Sequence, residues 1–333
     1  MKGFWRTFGI AAVAMTISTA TYAEQAEINF GIISTESTTN LKDQWEPFLA
    51  DMSVKTGVKI TPFYASDYAG IIEGMKFGKV QVAWYGNKAA MEAVDRAEGE
   101  VFAQSIDKDG NPGYWSVLIT QASNNTISTL DDVMKCDQSL TFGNGDPNST
   151  SGFLVPSVFI FTAKGIEPKD CFKAVTNANH EANIMAVANG QVNIATNNTE
   201  SLRRIQEEKP EIFEKLKVVW KSPLIPSDPI VWRKDLDGAT KAKLMTFLMS
   251  YGRMGSEQEV ADARAKLKAL GWAPFKPSSD AQLYPIRVLE AQKAMNKVSK
   301  DETLSQADKD AKLKELEATK ARYEKLMIDQ PQS

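Results

Sequence analysis

The chain has 333 residues, with 39 lysines and arginines against 42 aspartates and glutamates, one histidine and two cysteines. A slightly acidic balance without a basic tract excludes a nucleic-acid binder that works by neutralising phosphates. One histidine and two distant cysteines offer no metal-ligand spacing, so neither a metal centre nor a cofactor is expected.

The first element in chain order is a leader. Lys2 and Arg6 make a basic start, Phe8 to Ile17 an apolar core, and Thr21-Tyr22-Ala23 a small-residue cleavage site. This pattern predicts a secretory signal peptide over residues 1–23, its apolar run too short for a permanent membrane anchor. What remains exceeds the usual size of one hydrophobic core, so two lobes are expected. Export also favours a disulfide between Cys136 and Cys171.

Residues 27–33 alternate and then turn apolar, a first strand that ends in Ser34-Thr35-Glu36-Ser37. A helix follows, with Leu41, Trp45, Phe48 and Leu49 at helical spacing. Residues 58–64 make the second strand and Asp67 caps the next helix; residues 80–84 make the third, before a helix through Met91 and Val94. Strand alternating with helix predicts a parallel sheet with helices on its faces. Residues 113–120 then read as one longer strand, the first crossing between lobes. A second series runs through strands near residues 140–143, 174–175, 192–196 and 217–220, and residues 230–233 read as the return crossing. The expected lobes are 24–118 with 230–279, and 119–229, followed by a helical tail at 280–333. In that tail Leu313, Leu316, Tyr323 and Met327 form a narrow heptad-like seam. The reading leans to a second copy of the chain as its cover, a homodimer through the C-terminal helices.

The most informative stretch is Asp146-Pro147-Asn148-Ser149-Thr150-Ser151-Gly152, between an apolar strand and an apolar helix start. Three hydroxyls and the unpaired N–H groups of a first helical turn converge there, which suits an oxyanion. A plain N-cap is the bland alternative, although a cap needs only one such residue. Ligands of open α/β sheets bind beyond the carboxyl ends of strands. At those ends stand Ser34 to Ser37, Tyr68, Tyr85, Tyr114, Ser149 to Ser151, His180, Glu200 and Asp228. The hydroxyl turn, His180 and the tyrosines supply donors for a tetrahedral oxyanion, and Glu200 and Asp228 supply negative charge for a cation. A ligand with an oxyanion at one end and an ammonium at the other satisfies both sets. Each residue has a duller reading: His180 and Glu200 as helix-start residues, Asp228 as a turn former, the tyrosines as core. Trp84, Trp115, Trp220 and Trp232 read as core aromatics.

Several runs together carry a resemblance: residues 29–37, Asp67-Tyr68-Ala69-Gly70-Ile71-Ile72, Ala83-Trp84-Tyr85-Gly86-Asn87, Gly113-Tyr114-Trp115-Ser116, residues 143–152, Thr196-Asn197-Asn198-Thr199-Glu200 and residues 222–233. The chain resembles the periplasmic phosphonate-binding proteins of ABC importers, in the branch that takes up 2-aminoethylphosphonate. The resemblance implies a type II periplasmic-binding fold, two α/β lobes joined by two hinge strands. It implies a periplasmic location and a membrane permease as partner. It further implies that Ser149, Thr150, Ser151, Tyr114 and His180 bind the phosphonate oxygens, with Tyr68, Glu200 and Asp228 around the amino end. The path from residue 168 to 179 and both cysteines depart from the pattern. A binder of a simpler oxyanion such as phosphate, phosphite or methylphosphonate is the alternative. A secreted Ser/His hydrolase is more remote, since the serines lie outside any Gly-x-Ser-x-Gly elbow.

Overall fold

The computed structural model describes residues 27–329, so the leader at 1–23 lies outside the described residues. Two main sheets carry the fold. The first has six strands in the spatial order Trp272–Pro277, Gly99–Asp107, Pro229–Arg233, Val82–Trp84, Glu27–Ile32, Lys59–Tyr64. Glu27–Ile32 runs parallel to both neighbours, as strand–helix alternation requires, while Pro229–Arg233 enters antiparallel to Val82–Trp84. The core gathers around Trp45, whose ring centroid lies 5.2–6.1 Å from those of Phe30, Phe48, Trp84 and Trp272.

The second sheet orders Leu216–Lys221, Ser116–Gln121, Ile194–Asn198, Thr141–Gly145 and Ala174–Ala178. Side chains of a strand alternate between faces, and Ser116–Gln121 is covered on both. Leu118 joins Phe142 and Phe161 on one side, and Val117 and Ile119 join Ile184 and Leu202 on the other. Two-sided burial is why this strand reads as a near-continuous apolar run. Cys136 and Cys171 form a disulfide at the first of these faces, as expected.

Three readings change. Gly99–Asp107 is a nine-residue strand inside the first sheet that the sequence pattern does not announce. Gln104 and Ser105 are buried and paired far along the chain: Gln104 Nε2 donates to the Ser227 carbonyl at 2.9 Å, and Ser105 Oγ to the Asp228 carbonyl at 3.0 Å. Residues 113–120 divide in two. Gly113–Tyr114 pairs antiparallel with Ile225–Pro226 as a separate ribbon, and Ser116 opens the second sheet. The ribbon makes both crossings, so Ile230 to Arg233 belongs to the first sheet and is no crossing. Gly113 permits the pairing, because a Cβ there would stand 1.9 Å from the Ile225 carbonyl oxygen.

The third change concerns the tail, a pair of helices Tyr284–Lys300 and Gln306–Asp329 packed on each other. Leu313, Leu316 and Tyr323 are half-buried, Tyr323 lying 5.5 Å from Tyr284 and beneath the Arg287 guanidinium. The chain's own helix thus partly covers Leu313, Leu316 and Tyr323 of the seam expected to face a partner subunit, while Met327 is exposed.

Candidate functional site

Strands of both sheets end at a shared cleft, which encloses a cavity of about 290 Å³. Asp228 reaches the same place from the other direction, because Pro229–Arg233 starts where the antiparallel Val82–Trp84 ends. All eight residues assigned to the site from the sequence line this cavity: Tyr68, Tyr114, Ser149, Thr150, Ser151, His180, Glu200 and Asp228. Tyr85, also at a strand end, does not join them. Its hydroxyl is buried and donates to the Ile71 carbonyl at 3.1 Å.

At one end of the cavity the hydroxyl turn opens a helix of unusual pitch. Thr150–Leu154 and Ser157–Phe161 wind as π-helix, with the N–H groups of Leu154 and Val155 reaching the Ser149 and Thr150 carbonyls five residues back. Pro156 has no N–H for an ordinary helical bond, and its ring would crowd the preceding turn; wider winding relieves both. Gly145 lets the turn lie against its strand, since a Cβ there would stand 2.5 Å from the Gly152 backbone.

The three hydroxyls are oriented by what they accept. Ser149 Oγ accepts from the Gly152 N–H at 3.0 Å, Thr150 Oγ1 from the Lys88 N–H at 2.8 Å, and Ser151 Oγ from Asn198 Nδ2 at 3.2 Å. Ser149 is therefore an N-cap, and still available for an anion: a hydroxyl that accepts from the protein keeps its own proton to donate. The N–H groups of the first turn and the helix dipole add positive potential there. His180 opens the helix His180–Ala188, but Asn179 is the cap, accepting from the Ala182 N–H at 2.8 Å. Burial pushes the His180 imidazole down to about 4, so it is neutral near pH 7. Its Nδ1 has no hydrogen-bond partner, and neither does Thr35 Oγ1, both buried in residues that border the cavity. Buried polar atoms without partners are costly, and a ligand rich in oxygens would pair them.

Charge dominates the other end. Asp228 Oδ1 accepts from the Tyr114 hydroxyl at 2.9 Å, and its carbonyl is held by both Ser105 N and Ser105 Oγ at 3.0 Å. Glu200, half-buried, stands in the first turn of the helix Thr199–Glu208, which Asn198 caps through the Ser201 N–H at 2.7 Å. Burial pushes the Glu200 carboxyl up to about 7, with Asp107 adding to the shift. It pushes Asp228 well above the ordinary carboxylate range, and repulsion from Glu200 adds to that. Arg203 and Arg204, on the same helix as Glu200, are committed to Asp107 and Glu36. Two carboxyls share an enclosed space whose nearest guanidiniums are already engaged, an arrangement that a cation would stabilise.

The tyrosines stand differently from the sequence expectation. Tyr114, assigned to the oxyanion end, gives its proton to Asp228. Tyr68, assigned to the amino end, has its hydroxyl against Ser149 and donates its N–H to Asp146 Oδ2 at 3.2 Å. Both rings thus stand between the two ends. Trp84, read as core, packs on Trp45 with one edge and borders the cavity as well. Thr35 and Glu36, from the first strand end, border the cavity as well, whereas Asp146, Arg203 and Arg204 were not singled out from the sequence. Asp146 had a signal, since it leads the hydroxyl motif, but an aspartate before proline reads as a turn former.

Comparison with known proteins agrees with this architecture. A family profile described as "ABC transporter, phosphonate, periplasmic substrate-binding protein" matches residues 30–283. The phosphonates-binding periplasmic protein of Escherichia coli (strain K12) is 54% identical over 305 residues, covering 91% of this chain and 88% of that protein. The phosphate-import protein PhnD of Mycolicibacterium smegmatis is 29% identical over 241 residues, covering 70% and 74%. The binding-protein component of an ABC phosphonate transporter from Pseudomonas aeruginosa superposes with a TM-score of 0.87 at 51% identity, covering 93% of this chain and all of that one. No helix among the described residues is long and apolar enough to cross a membrane. With two α/β lobes joined at a ribbon and a helical tail, the chain has the type II periplasmic-binding fold, and it belongs to the periplasmic substrate-binding proteins of phosphonate ABC transporters.

Proposed function

We propose that the protein captures 2-aminoethylphosphonate in the periplasm, after export by its leader at 1–23, and hands it to the transporter's permease without altering it. One observation carries this reading. A single cavity has neutral hydrogen-bond donors at one end and two carboxyls raised by burial at the other. Ser149, Thr150, Ser151 and His180 hold the phosphonate, and Glu200 and Asp228 take the ammonium. Tyr68 and Tyr114 line the space between, the Tyr68 hydroxyl beside Ser149 and the Tyr114 hydroxyl beside Asp228. Aligned N–H and O–H donors suffice for the anion without an arginine. The lobe of the six-stranded sheet closes on that of the five-stranded sheet by flexing at the Gly113–Tyr114 and Ile225–Pro226 ribbon. Catalysis by a Ser/His relay is disfavoured, because no acceptor orients His180 Nδ1.

The similarity to a protein named for phosphate import favours a second reading, a simpler oxyanion as ligand. Calorimetry on the intact mature chain separates the two. The first reading expects 2-aminoethylphosphonate to bind far more tightly than methylphosphonate or phosphate. Asp228→Asn then weakens the amino ligand by about 100-fold, near the lower cost of breaking a buried ion pair, and leaves methylphosphonate within about threefold. Equal losses for both ligands would remove the amine pocket.

A further inference from the structure

The helix Thr199–Glu208 presents more than Glu200 to the opposite lobe. Glu200, Arg203, Arg204 and Glu207 recur at spacings of three and four and so share one helical face. Arg203 Nη1 lies 2.6 Å from the buried Asp107 carboxylate and 3.1 Å from that of Asp109, and its Nη2 donates to the Gly271 carbonyl at 3.3 Å. Arg204 Nη1 donates to Glu36 Oε1 and, at 3.0 Å, to Gln44 Oε1, while its Nη2 donates to the Leu270 carbonyl at 3.3 Å. Gln44 Nε2 in turn holds the other Glu36 oxygen at 3.0 Å. Every one of these acceptors belongs to the lobe of the six-stranded sheet, and both arginines belong to the other lobe. Gly271 has φ +83°, a left-handed turn that sets its carbonyl and that of Leu270 toward the two guanidiniums.

A guanidinium held by several acceptors at once is a more specific contact than a single exposed ion pair. Here two of them, at adjacent positions, are mostly buried at the rim of the cavity. One rigid helix carries these arginines and Glu200, so a movement that withdraws Glu200 from the cavity must also pull both guanidiniums off the opposite lobe. We propose that Arg203 and Arg204 form a latch across the mouth of the cleft and set how long a captured ligand stays, whatever its amino group. They are positioning residues, reaching the ligand only through the helix and through closure. Because the latch forms after encounter, it acts on release and leaves association nearly unchanged.

The ligand-release test rests on the capture reading above. Stopped-flow release of 2-aminoethylphosphonate and of methylphosphonate is compared between the native protein, Arg204→Gln, Glu36→Gln and their double variant. Release speeds up about tenfold in each single variant for both ligands, equivalent to about 1.4 kcal/mol, with association within twofold. The double variant releases about as fast as either single one, the coupling expected of two halves of one contact. Both arginines also draw the Glu200 carboxyl down, so an effect through Glu200 alone would spare methylphosphonate. Unchanged release, or acceleration confined to the amino ligand, overturns the latch. Should the native protein bind neither phosphonate, the capture reading fails and small-angle scattering decides the latch by itself. The Arg203→Gln/Arg204→Gln protein must then be more expanded than the native one, and an equal radius of gyration overturns it.

Discussion

The two ends of the cleft are built on opposite electrostatic principles. At the hydroxyl turn the groups that face the cavity carry no formal charge: Ser149, Thr150 and Ser151 accept from N–H donors and keep their own protons to donate, and His180 is neutral. At the far end, Glu200 and Asp228 share a space where neither is ion-paired by the arginines beside them. Neutral, fixed donors grip any tetrahedral oxyanion and depend little on pH. A carboxyl pair without a partner penalises every ligand that lacks a cation. On the proposed reading the first end supplies affinity and the second supplies choice, and perturbing them should have distinguishable consequences.

The largest effect should come from the neutral end. In Gly145→Ala the new methyl would lie 2.5 Å from the Gly152 backbone, and the helix start must retreat. Overpacking of this kind costs about 1–3 kcal/mol of stability. Misplacing two donors to a charged ligand costs roughly 3 kcal/mol more in binding, about 100-fold, and equally for amino and alkyl phosphonates. Calorimetry with both ligands checks it. A loss confined to the amino ligand would contradict the division of labour.

Next comes Glu200→Gln, which acts on choice and on pH together. Burial raises this carboxyl in the folded protein from 4.5 to about 7. Stability associated with the protonated form is thus intact below about pH 4.5 and is lost as pH rises through about 7. At pH 8 the glutamine variant should withstand more denaturant than the native protein, by about 2 kcal/mol once the solvent reaching a half-buried group is allowed for, and at pH 4.5 the two should coincide. Selectivity for 2-aminoethylphosphonate over methylphosphonate should rise between pH 5.5 and 8 in the native protein, by roughly tenfold, and stay flat in the variant. Taking the ratio of ligands removes most of the phosphonates' own titration. Parallel pH profiles would show that Glu200 does not face the ammonium.

Legibility in the sequence divides along a physical line. Features encoded locally were readable: parallel strand–helix units from periodicity, the helix start at the cavity from three hydroxyls before a glycine, and acid groups at strand ends. Features set by distant partners were not. Gly99–Asp107 hides as a strand because Gln104 and Ser105 are polar, and only their bonds to residues 123 positions away make burial tolerable. Arg204 reads as one more charge on an exposed helix face until Glu36, 168 residues earlier, is brought beside it. The π winding after Ser149 escapes as well, since pitch follows from Pro156 and backbone bonding and leaves no periodicity in so short a segment. Tyr68 and Tyr114 were assigned to the cleft by position, but which end each hydroxyl serves depends on a neighbour from elsewhere in the chain.

The smallest effect on binding should follow loss of the Cys136–Cys171 disulfide, and its pattern tests whether the two ends are mechanically separate. Cys171 is buried in the cluster that holds Phe142, on the strand leading into the hydroxyl turn, and Phe161, at the end of the helix leaving it. Asp228 is anchored elsewhere, by Ser105 in the opposite lobe. Closing a loop of 35 residues stabilises the native state by roughly 4 kcal/mol in the chain-entropy model. Cys136→Ser/Cys171→Ser should therefore unfold at clearly lower denaturant. Because the helix start is also fixed by backbone bonds and by Gly145, affinity in the folded protein should fall by no more than about threefold. That small loss should be the same for 2-aminoethylphosphonate and methylphosphonate, since only the oxyanion end shares a core with the disulfide. A change in selectivity would mean that loosening this core reaches Glu200 and Asp228 too, and that the two ends act as one unit.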